Sequence, residues 1–334
     1  MTTSDWPLEL VVADTAALTA EIRSLTLKSI DGGPLPAFSA GAHLLFQVEL
    51  GDGGPSPGTP EASRPGERCY SLVNSTDQSG YYEIAVKLET AGSGGSRFMH
   101  ALKPGDRIRA TLPKNDFPLH RDQHEALLIA GGIGITPILS MTAELSEQGA
   151  AYRLHYASRS PETMAYQARI TQLCGERRHL HFDYGDPSQG MPLAEVIGQP
   201  ASNRHLYVCG PRPLLDAVIA TARALQWASS HVHFELFGAP LSQTGDRPCR
   251  VVLQRSGMTL DVPAEKSILD AMIDAGIDPM FDCRRGECSV CAVRVLSGTP
   301  EHRDYALSDD DRDHENLMCV CVSRAREGEL VLDA

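Results

Sequence analysis

The first third of the chain alternates apolar and polar residues in short runs broken by glycine and proline. Over residues 25–30, 43–50, 82–88 and 107–112 this period of two predicts strands, and the lack of long helical periods from 8 to 119 predicts an antiparallel barrel. Residues 51–67, rich in Gly, Pro and Ser, read as a surface loop. From 125 to 237 the pattern changes. Residues 126–130 are continuously apolar, as in a strand buried on both faces of a parallel sheet. A helix is predicted over 137–148, strands over 153–157, 181–184 and 206–209, and a second helix over 213–227 with Pro213 in its first turn. Such alternation predicts a doubly wound α/β domain. A polar linker follows at 238–248, then a hairpin over 250–262 turning near Ser256-Gly257, a helix over 266–275, a cysteine cluster and a short closing strand at 329–333. The expected organisation is multi-domain, α/β plus β: a barrel (1–122), the α/β domain (123–237), the linker, and a C-terminal domain (249–334).

A length of 334 residues suits two or three domains, each with its own core. The formal net charge of −13 argues against a nucleic-acid backbone or an anionic membrane as partner, because both call for excess lysine and arginine. Residues 1–10 are polar and acidic and lack the basic start and apolar run of a secretory signal, and no stretch reaches the ~18 apolar residues of a spanning helix. A cytoplasmic protein is expected. Five of the nine cysteines crowd into the last 52 residues at uneven spacing, which points to metal or redox chemistry in a reducing compartment and not to a disulfide framework.

Cys283, Cys288 and Cys291 form C-x4-C-x2-C, the spacing of plant-type [2Fe–2S] ferredoxins, with Cys319 and Cys321 as candidates for a fourth ligand. A tight loop must wrap such a cluster and aim backbone N–H groups at its sulfurs, and Gly286 helps that loop close. Buried inert cysteines do not sit in a loop as polar as Asp282, Arg284, Arg285 and Glu287. Zinc is the sharper rival, because C-x2-C is also a zinc spacing, although the x4 gap suits it less.

Three further stretches have the composition of nucleotide sites. Arg68-Cys69-Tyr70-Ser71 opens a strand and is weak alone. Gly92-Ser93-Gly94-Gly95-Ser96-Arg97 offers free backbone N–H groups and a cation for a phosphate, or else is a flexible hairpin loop. Gly131-Gly132-Ile133-Gly134-Ile135-Thr136-Pro137 lies between a buried strand and a helix, where glycines admit a pyrophosphate, although a tight turn without ligand fits the same text. Cys209-Gly210-Pro211 ends a later strand of the same sheet, on the edge where open α/β sheets bind ligands.

In this order, R-x-Y-S, G-G-S, G-G-x-G-x-T-P, C-G-P and C-x4-C-x2-C resemble the phthalate dioxygenase reductase family, which includes vanillate demethylase reductase subunits. Local text agrees: Asn115-Asp116-Phe117-Pro118-Leu119, His233-Phe234-Glu235-Leu236-Phe237, Glu301-His302-Arg303-Asp304 and Cys321-Val322-Ser323-Arg324-Ala325. The resemblance implies an FMN-binding barrel, a ferredoxin-reductase-type NAD domain and a β-grasp [2Fe–2S] ferredoxin domain. It implies that Arg68 contacts the FMN phosphate, that Tyr70 packs on the isoalloxazine, that Ser71 hydrogen-bonds near flavin N5, and that Gly94, Gly95 and Ser96 complete the phosphate site, with Lys87 a further cofactor-binding candidate. Gly131, Gly132, Gly134, Thr136, Pro137 and Ser158 would hold the dinucleotide. Cys209, with Gly210 and Pro211, would lie near the nicotinamide, and Phe237 would cover the flavin's other face. Ser71, Cys209 and Phe237 are thus the expected catalytic set, and Cys321 the expected fourth cluster ligand. Ser289 stands where such loops commonly have glycine, and Asp282 where a small residue is usual.

The function so implied is an NADH-dependent reductase that passes electrons through FMN to [2Fe–2S] and on to a Rieske-type oxygenase, acting as a monomer. Arg159, after the strand ending near Ala157, is the residue placed to meet a 2′-phosphate if NADPH were used. Rival readings are a reductase for a cytochrome P450, a general diaphorase, or a zinc-stapled nucleotide-binding module.

Overall fold

Leu10, Val12, Leu25, Leu27, Leu44, Phe46, Val48, Ile84 and Val86 are almost wholly buried, because each strand turns alternate side chains to one interior. They come from β1 (Leu8–Ala17), β2 (Ile22–Ser29), β3 (His43–Leu50) and β5 (Tyr82–Lys87); β4 (Arg64–Ser71), β6 (Arg107–Ala110) and one short helix, α1 (Gly95–Ala101), complete the layer. This computed structural model describes residues 6–50, 64–77, 80–90, 92–237 and 245–334, in two compact units, 1–235 and 236–334. The six strands run in the order β4-β3-β6-β1-β2-β5 with antiparallel pairings. The edges meet just past β4, where Val73 N–H donates to the Glu83 carbonyl at 2.8 Å and Glu83 N–H donates to Asn74 Oδ1 at 2.9 Å. The sheet is therefore barrel-like.

Two features of this sheet depart from expectation. Residues 64–67, assigned to a loop, are the first half of β4 and pair with β3 from Leu50↔Arg64 onward; the remainder of that loop, 51–63, lies outside the described residues. A side chain at Gly66 would come within 2.3 Å of Leu50 Cδ1, so glycine belongs to the packing here and does not mark a turn. The whole of β1 was not foreseen. Its register with β2 shifts between Val12 and Asp14, a bulge that breaks the period of two.

Next come β7 (Glu125–Gly131), α2 (Ile135–Glu147), β8 (Ala151–Ser158), α3 (Gln167–Cys174), β9 (Arg178–Phe182), α4 (Leu193–Ile197), β10 (Arg204–Gly210), α5 (Arg212–Ala224) and β11 (Val232–Leu236). The sheet order is β11-β10-β7-β8-β9, with β10, β7, β8 and β9 parallel. The first strand of the layer is central: β8 and β9 are added on one side of it and β10 and β11 on the other, so the switch point falls between β7 and β10. The strand placed at 181–184 is in fact Arg178–Phe182, because the chain turns at Tyr184 with φ 48°. One apolar cluster joins this layer to the barrel: Ile22, Val73, Ala85 and Phe117 pack with Ile135, Ile138, Leu139 and Met141. Polar ties reinforce it. Tyr166 OH donates to Glu83 Oε1 at 2.9 Å, Arg169 Nη1 donates to Glu83 Oε2 at 2.7 Å, and Ser140 Oγ donates to the Asn74 carbonyl at 3.2 Å.

The second unit contains β12 (Cys249–Leu253), β13 (Met258–Val262), α6 (Ile268–Asp274), β14 (Ala292–Glu301), α7 (Asp309–Asp313), β15 (Leu317–Cys319) and β16 (Arg324–Leu332), in the sheet order β13-β12-β16-β14-β15. The hairpin and helix lie where the pattern placed them, and Ser267 Oγ caps α6 by accepting from Asp270 N–H at 3.0 Å. The closing strand is longer than 329–333: β16 starts at Arg324 and pairs with both β12 and β14. β14 was not foreseen, because it is largely exposed, holds Gly298 and Pro300, and slips register three times against β16. Of the linker at 238–248, residues 238–244 are outside the described set; Asp246 is fixed by Arg303, whose guanidinium donates to its two carboxylate oxygens at 2.6 and 3.1 Å. Among the described residues no helix is long and apolar enough to cross a membrane.

Glu83 receives both a guanidinium and a phenol from α3 and the residue before it, so Glu83→Ala should destabilise the first unit by about 2 kcal/mol. Differential scanning calorimetry checks this, and an unchanged first transition would mean that these ties do not hold the barrel to the parallel layer.

Candidate functional site

At the barrel end, β4 places Arg68, Tyr70 and Ser71 in sequence. The Arg68 side chain crosses to α1: its Nη2 donates to Ser93 Oγ, its Nη1 donates to the Glu67 carbonyl at 2.6 Å, and a Cβ at Gly95 would come within 2.7 Å of Arg68 Cγ and Nε. The two phosphate-type elements of the sequence therefore meet. The Gly92–Arg97 stretch is not a hairpin loop throughout, since α1 begins at Gly95 and Gly94, at φ 95°, makes the left-handed turn into it. Ser96 Oγ accepts from Glu89 N–H at 3.0 Å and closes that turn. The Tyr70 ring lies 5.9 Å from that of Phe46, and burial pushes its phenol well above the usual range. Ser71 is 3% exposed, and its Oγ has no hydrogen-bond partner among the described residues. An orphaned buried hydroxyl is costly and calls for a partner that the described residues do not supply. Lys87 ends β5 and pairs with Glu89 at 3.2 Å. Sequence reasoning missed His43, which faces Ser71 across the β3–β4 ladder and lies 3.8 Å from Glu235 and 4.0 Å from Asp116. A single histidine in an apolar strand gives no signal of that placement.

On the parallel sheet, Gly131, Ser158 and Gly210 end β7, β8 and β10 at the carboxyl edge. Gly134 starts α2 against β10, and a Cβ there would stand 2.2 Å from the Cys209 carbonyl oxygen. Gly132 is different: it has φ 53° and open space where a side chain would project, which leaves room for a ligand to approach the backbone. Thr136 and Pro137 are buried in the first turn of α2, and Thr136 Oγ1 donates to the Ile133 carbonyl at 3.0 Å, so this hydroxyl stabilises the turn. Cys209 is wholly buried. Pro211 leads into α5, Ser158 Oγ and Thr163 Oγ1 are 2.8 Å apart, and Arg159 is exposed just beyond β8. Phe237, 37% exposed, follows β11 and belongs to the second unit.

In the second unit the loop from Cys283 to Cys291 curls around its own sulfurs. Arg285 and Glu287 N–H donate to Cys283 Sγ at 3.3 and 3.4 Å, and Cys283 N–H donates to Cys288 Sγ at 3.5 Å. Gly286, at φ 75°, fits because a Cβ would meet Val322 Cγ2 at 2.8 Å; its carbonyl accepts from Tyr305 and Ala306. Cys291, Cys319 and Cys321 are all buried. The Cys291 sulfur accepts hydrogen bonds from the other two thiols, which pulls its pKa down and pushes theirs up. Cys319 and Cys321 do not share one extended segment: β15 ends at Cys319, and Ser323 N–H returns to the Cys319 carbonyl at 3.0 Å. Cys321 interacts electrostatically with Cys283 and accepts from Gly286 N–H. All nine cysteines are free of disulfides. Five sulfurs gathered with N–H groups aimed at them fit an iron–sulfur cluster by the chemistry of the donor set. The Glu301-His302-Arg303-Asp304 text proves to be support for this loop: Asp304 accepts from Arg312, Leu307 and Ser323 directly behind Gly286.

Comparison with known proteins accounts for these features together. Residues 251–326 match the model of the 2Fe-2S iron-sulfur cluster binding domain, and residues 128–219 that of the oxidoreductase NAD-binding domain. The chain is 38% identical over 332 residues to phthalate dioxygenase reductase of Burkholderia cepacia, covering 98% of this chain and 97% of that one. It belongs to the phthalate dioxygenase reductase family. The carnitine monooxygenase reductase subunit of Escherichia coli is also 38% identical, with 99% of each chain covered. Among solved structures, phthalate dioxygenase reductase, described as a modular structure for electron transfer from pyridine nucleotides to [2Fe–2S], matches with a TM-score of 0.70 at 36% identity over 98% of both chains. An intact type IV self-sufficient cytochrome P450 monooxygenase matches with a TM-score of 0.68 at 32% identity, over 98% of this chain and 41% of that one. This reductase is therefore an oxidoreductase with NAD-binding and [2Fe–2S] domains, and the zinc-stapled module is set aside.

In this reductase Ser289 is held at φ 54°, the left-handed region that explains why glycine is common there, and its Oγ donates to the Cys288 carbonyl at 2.7 Å. Ser289→Gly should relieve about 1 kcal/mol of backbone strain. The expected outcome is a higher unfolding midpoint for the cluster-loaded second unit; a lower one would mean that the hydroxyl contributes more than the strain costs.

Proposed function

We propose that this reductase passes electrons from NADH through FMN to its [2Fe–2S] cluster and on to a terminal oxygenase of the Rieske non-haem iron type. The observation that carries the reading is the match over 98% of both chains to a reductase described as moving electrons from pyridine nucleotides to [2Fe–2S]. A flavin, when bound, accepts electrons as a pair and releases them singly, which a two-electron donor and a one-electron cluster require of anything between them.

In this reading Arg68 and the N–H groups of Gly94, Gly95 and Ser96 take the phosphate of FMN, a dianion that needs both charge and donors. Tyr70 supplies an aromatic face, and the buried Ser71 hydroxyl finds its missing partner on the flavin ring. Gly132 gives the dinucleotide room at the carboxyl edge, while Gly131, Gly134 and Gly210 let the strand ends pack behind it. Cys209 and Phe237 are the residues assigned to the nicotinamide and flavin faces by family resemblance. Cys283, Cys288, Cys291 and Cys321 hold the cluster. The protein acts as a cytoplasmic monomer in this reading. Residues 249–334 carry 10 basic and 17 acidic side chains, which favours an acceptor with a basic docking face. A haem monooxygenase is the second reading of the acceptor, favoured by the full-length match within a self-sufficient P450; steady-state reduction of each class of acceptor separates the two.

Arg68→Ala should lose most of its flavin on gel filtration while retaining cluster iron, and flavin released from the wild type by heat should co-elute with FMN. Elution as FAD, or flavin retention equal to wild type in the variant, would sink the phosphate assignment. Cys321→Ser should lose the visible [2Fe–2S] spectrum and most of its iron while Cys319→Ser keeps both; the reverse pattern would make Cys319 the ligand.

A further inference from the structure

Away from both cofactor regions, a knot of imidazoles sits at the opposite edge of the parallel sheet. His205 is the second residue of β10, five residues before Gly210 and about 16 Å of extended chain from the carboxyl edge. His233 lies on β11, and His120 on the segment that leads from the barrel into β7. One ring nitrogen from each of the three lies within 4.8 Å of the others. His205 Nδ1 and His233 Nε2 are 2.8 Å apart, and the His120 ring stacks on that of His233 with centroids 4.2 Å apart. His231 closes the far side of His205 at 4.5 Å, and Tyr207 OH, which accepts from His120 N–H at 2.9 Å and donates to Gln123 at 2.7 Å, fixes the segment that carries His120.

Simple packing accounts poorly for this arrangement. Of the two nitrogens of His205, which is 2% exposed, one meets His233 and the other, Nε2, is buried without a hydrogen-bond partner among the described residues. Burial, and then the neighbouring rings, lower the pKa of both His205 and His233. Asp122, two residues from His120, brings its carboxylate to 4.0 Å from His120 Nδ1.

We propose that His120, His205 and His233 form a binding site for one divalent transition-metal ion of the zinc type, with Asp122 in reach as a fourth ligand. Zinc–nitrogen bonds of ~2.05 Å in a tetrahedron place ligand nitrogens ~3.3 Å apart, so the close pair opens slightly and the exposed His120 swings in by at most ~1.5 Å. The proton now shared between His205 and His233 moves to the other nitrogen of one ring, so both remain neutral and no charge is stranded. Imidazole donors select zinc, nickel or copper over magnesium and calcium. The ion would clamp the connecting segment around His120 to the edge of β10 and β11, a stabilising role separate from electron transfer.

The test uses the holoprotein, so that the cysteines are already occupied. Zinc sulfate is titrated calorimetrically, and zinc and iron per chain are then counted on the same gel-filtered sample. The expected result is about one zinc per chain with iron unchanged and a raised unfolding midpoint, and no such rise with magnesium. His120→Ala, a change at an exposed side chain, and His233→Gln should each weaken zinc binding at least tenfold, while His314→Ala leaves it unchanged. Equal zinc affinity in wild type and His120→Ala, zinc gained only as iron is lost, or an equal response to magnesium would overturn the proposal.

Discussion

A single buried core joins the barrel to the parallel sheet, and the placement of every functional candidate in the first 235 residues depends on it. Val73, Ala85 and Ile22 from the barrel pack with Ile135, Ile138 and Leu139 of α2. Ser71 lies two residues before Val73, and Gly134 one residue before Ile135. The apolar contact therefore brings the end of β4, with its orphaned hydroxyl, toward the glycine turn that starts α2. Burying these side chains in a merged core makes that juxtaposition part of the folded state and leaves little to loop motion.

The glycines of the candidate cofactor regions divide by physical cause. Gly95, Gly134 and Gly286 are glycine because another atom already occupies the space of a side chain: Arg68, the Cys209 carbonyl and Val322 respectively. Gly132 combines a left-handed backbone with open space at the carboxyl edge of the sheet, which leaves the backbone accessible there. In the second unit the loop geometry follows from sulfur. N–H groups of Arg285 and Glu287 converge on Cys283 and that of Gly286 on Cys321; these donors lower the thiol pKa values, but burial and the neighbouring sulfurs outweigh them and hold both up.

Much of this was legible in the sequence, for reasons that particular elements make clear. The continuous apolar run of β7 predicts a strand of a parallel sheet, as found, while the glycines after it fit either a ligand edge or a tight turn. The C-x4-C-x2-C spacing identifies the cluster loop, since few other chemistries use it. What was not legible has equally local causes. A bulge disguises β1, exposure and slipped register disguise β14, and the pairing of Arg64–Glu67 with β3 overrides a composition that reads as loop. The meeting of Arg68 with Gly95 and of His120 with His205 and His233 joins segments 27 to 113 residues apart, which no local pattern can announce.

The central claim is that electrons from a two-electron donor reach the cluster only by way of a flavin seated between the barrel end and the glycine edge. Its most direct test is an anaerobic NADH titration of protein stripped of flavin but retaining its iron, with bleaching of the [2Fe–2S] absorption as the readout, repeated after FMN is added back. The account predicts no bleaching on the timescale of turnover without flavin and full bleaching once FMN is restored. Rapid reduction of the cluster by NADH in the flavin-free protein would contradict it.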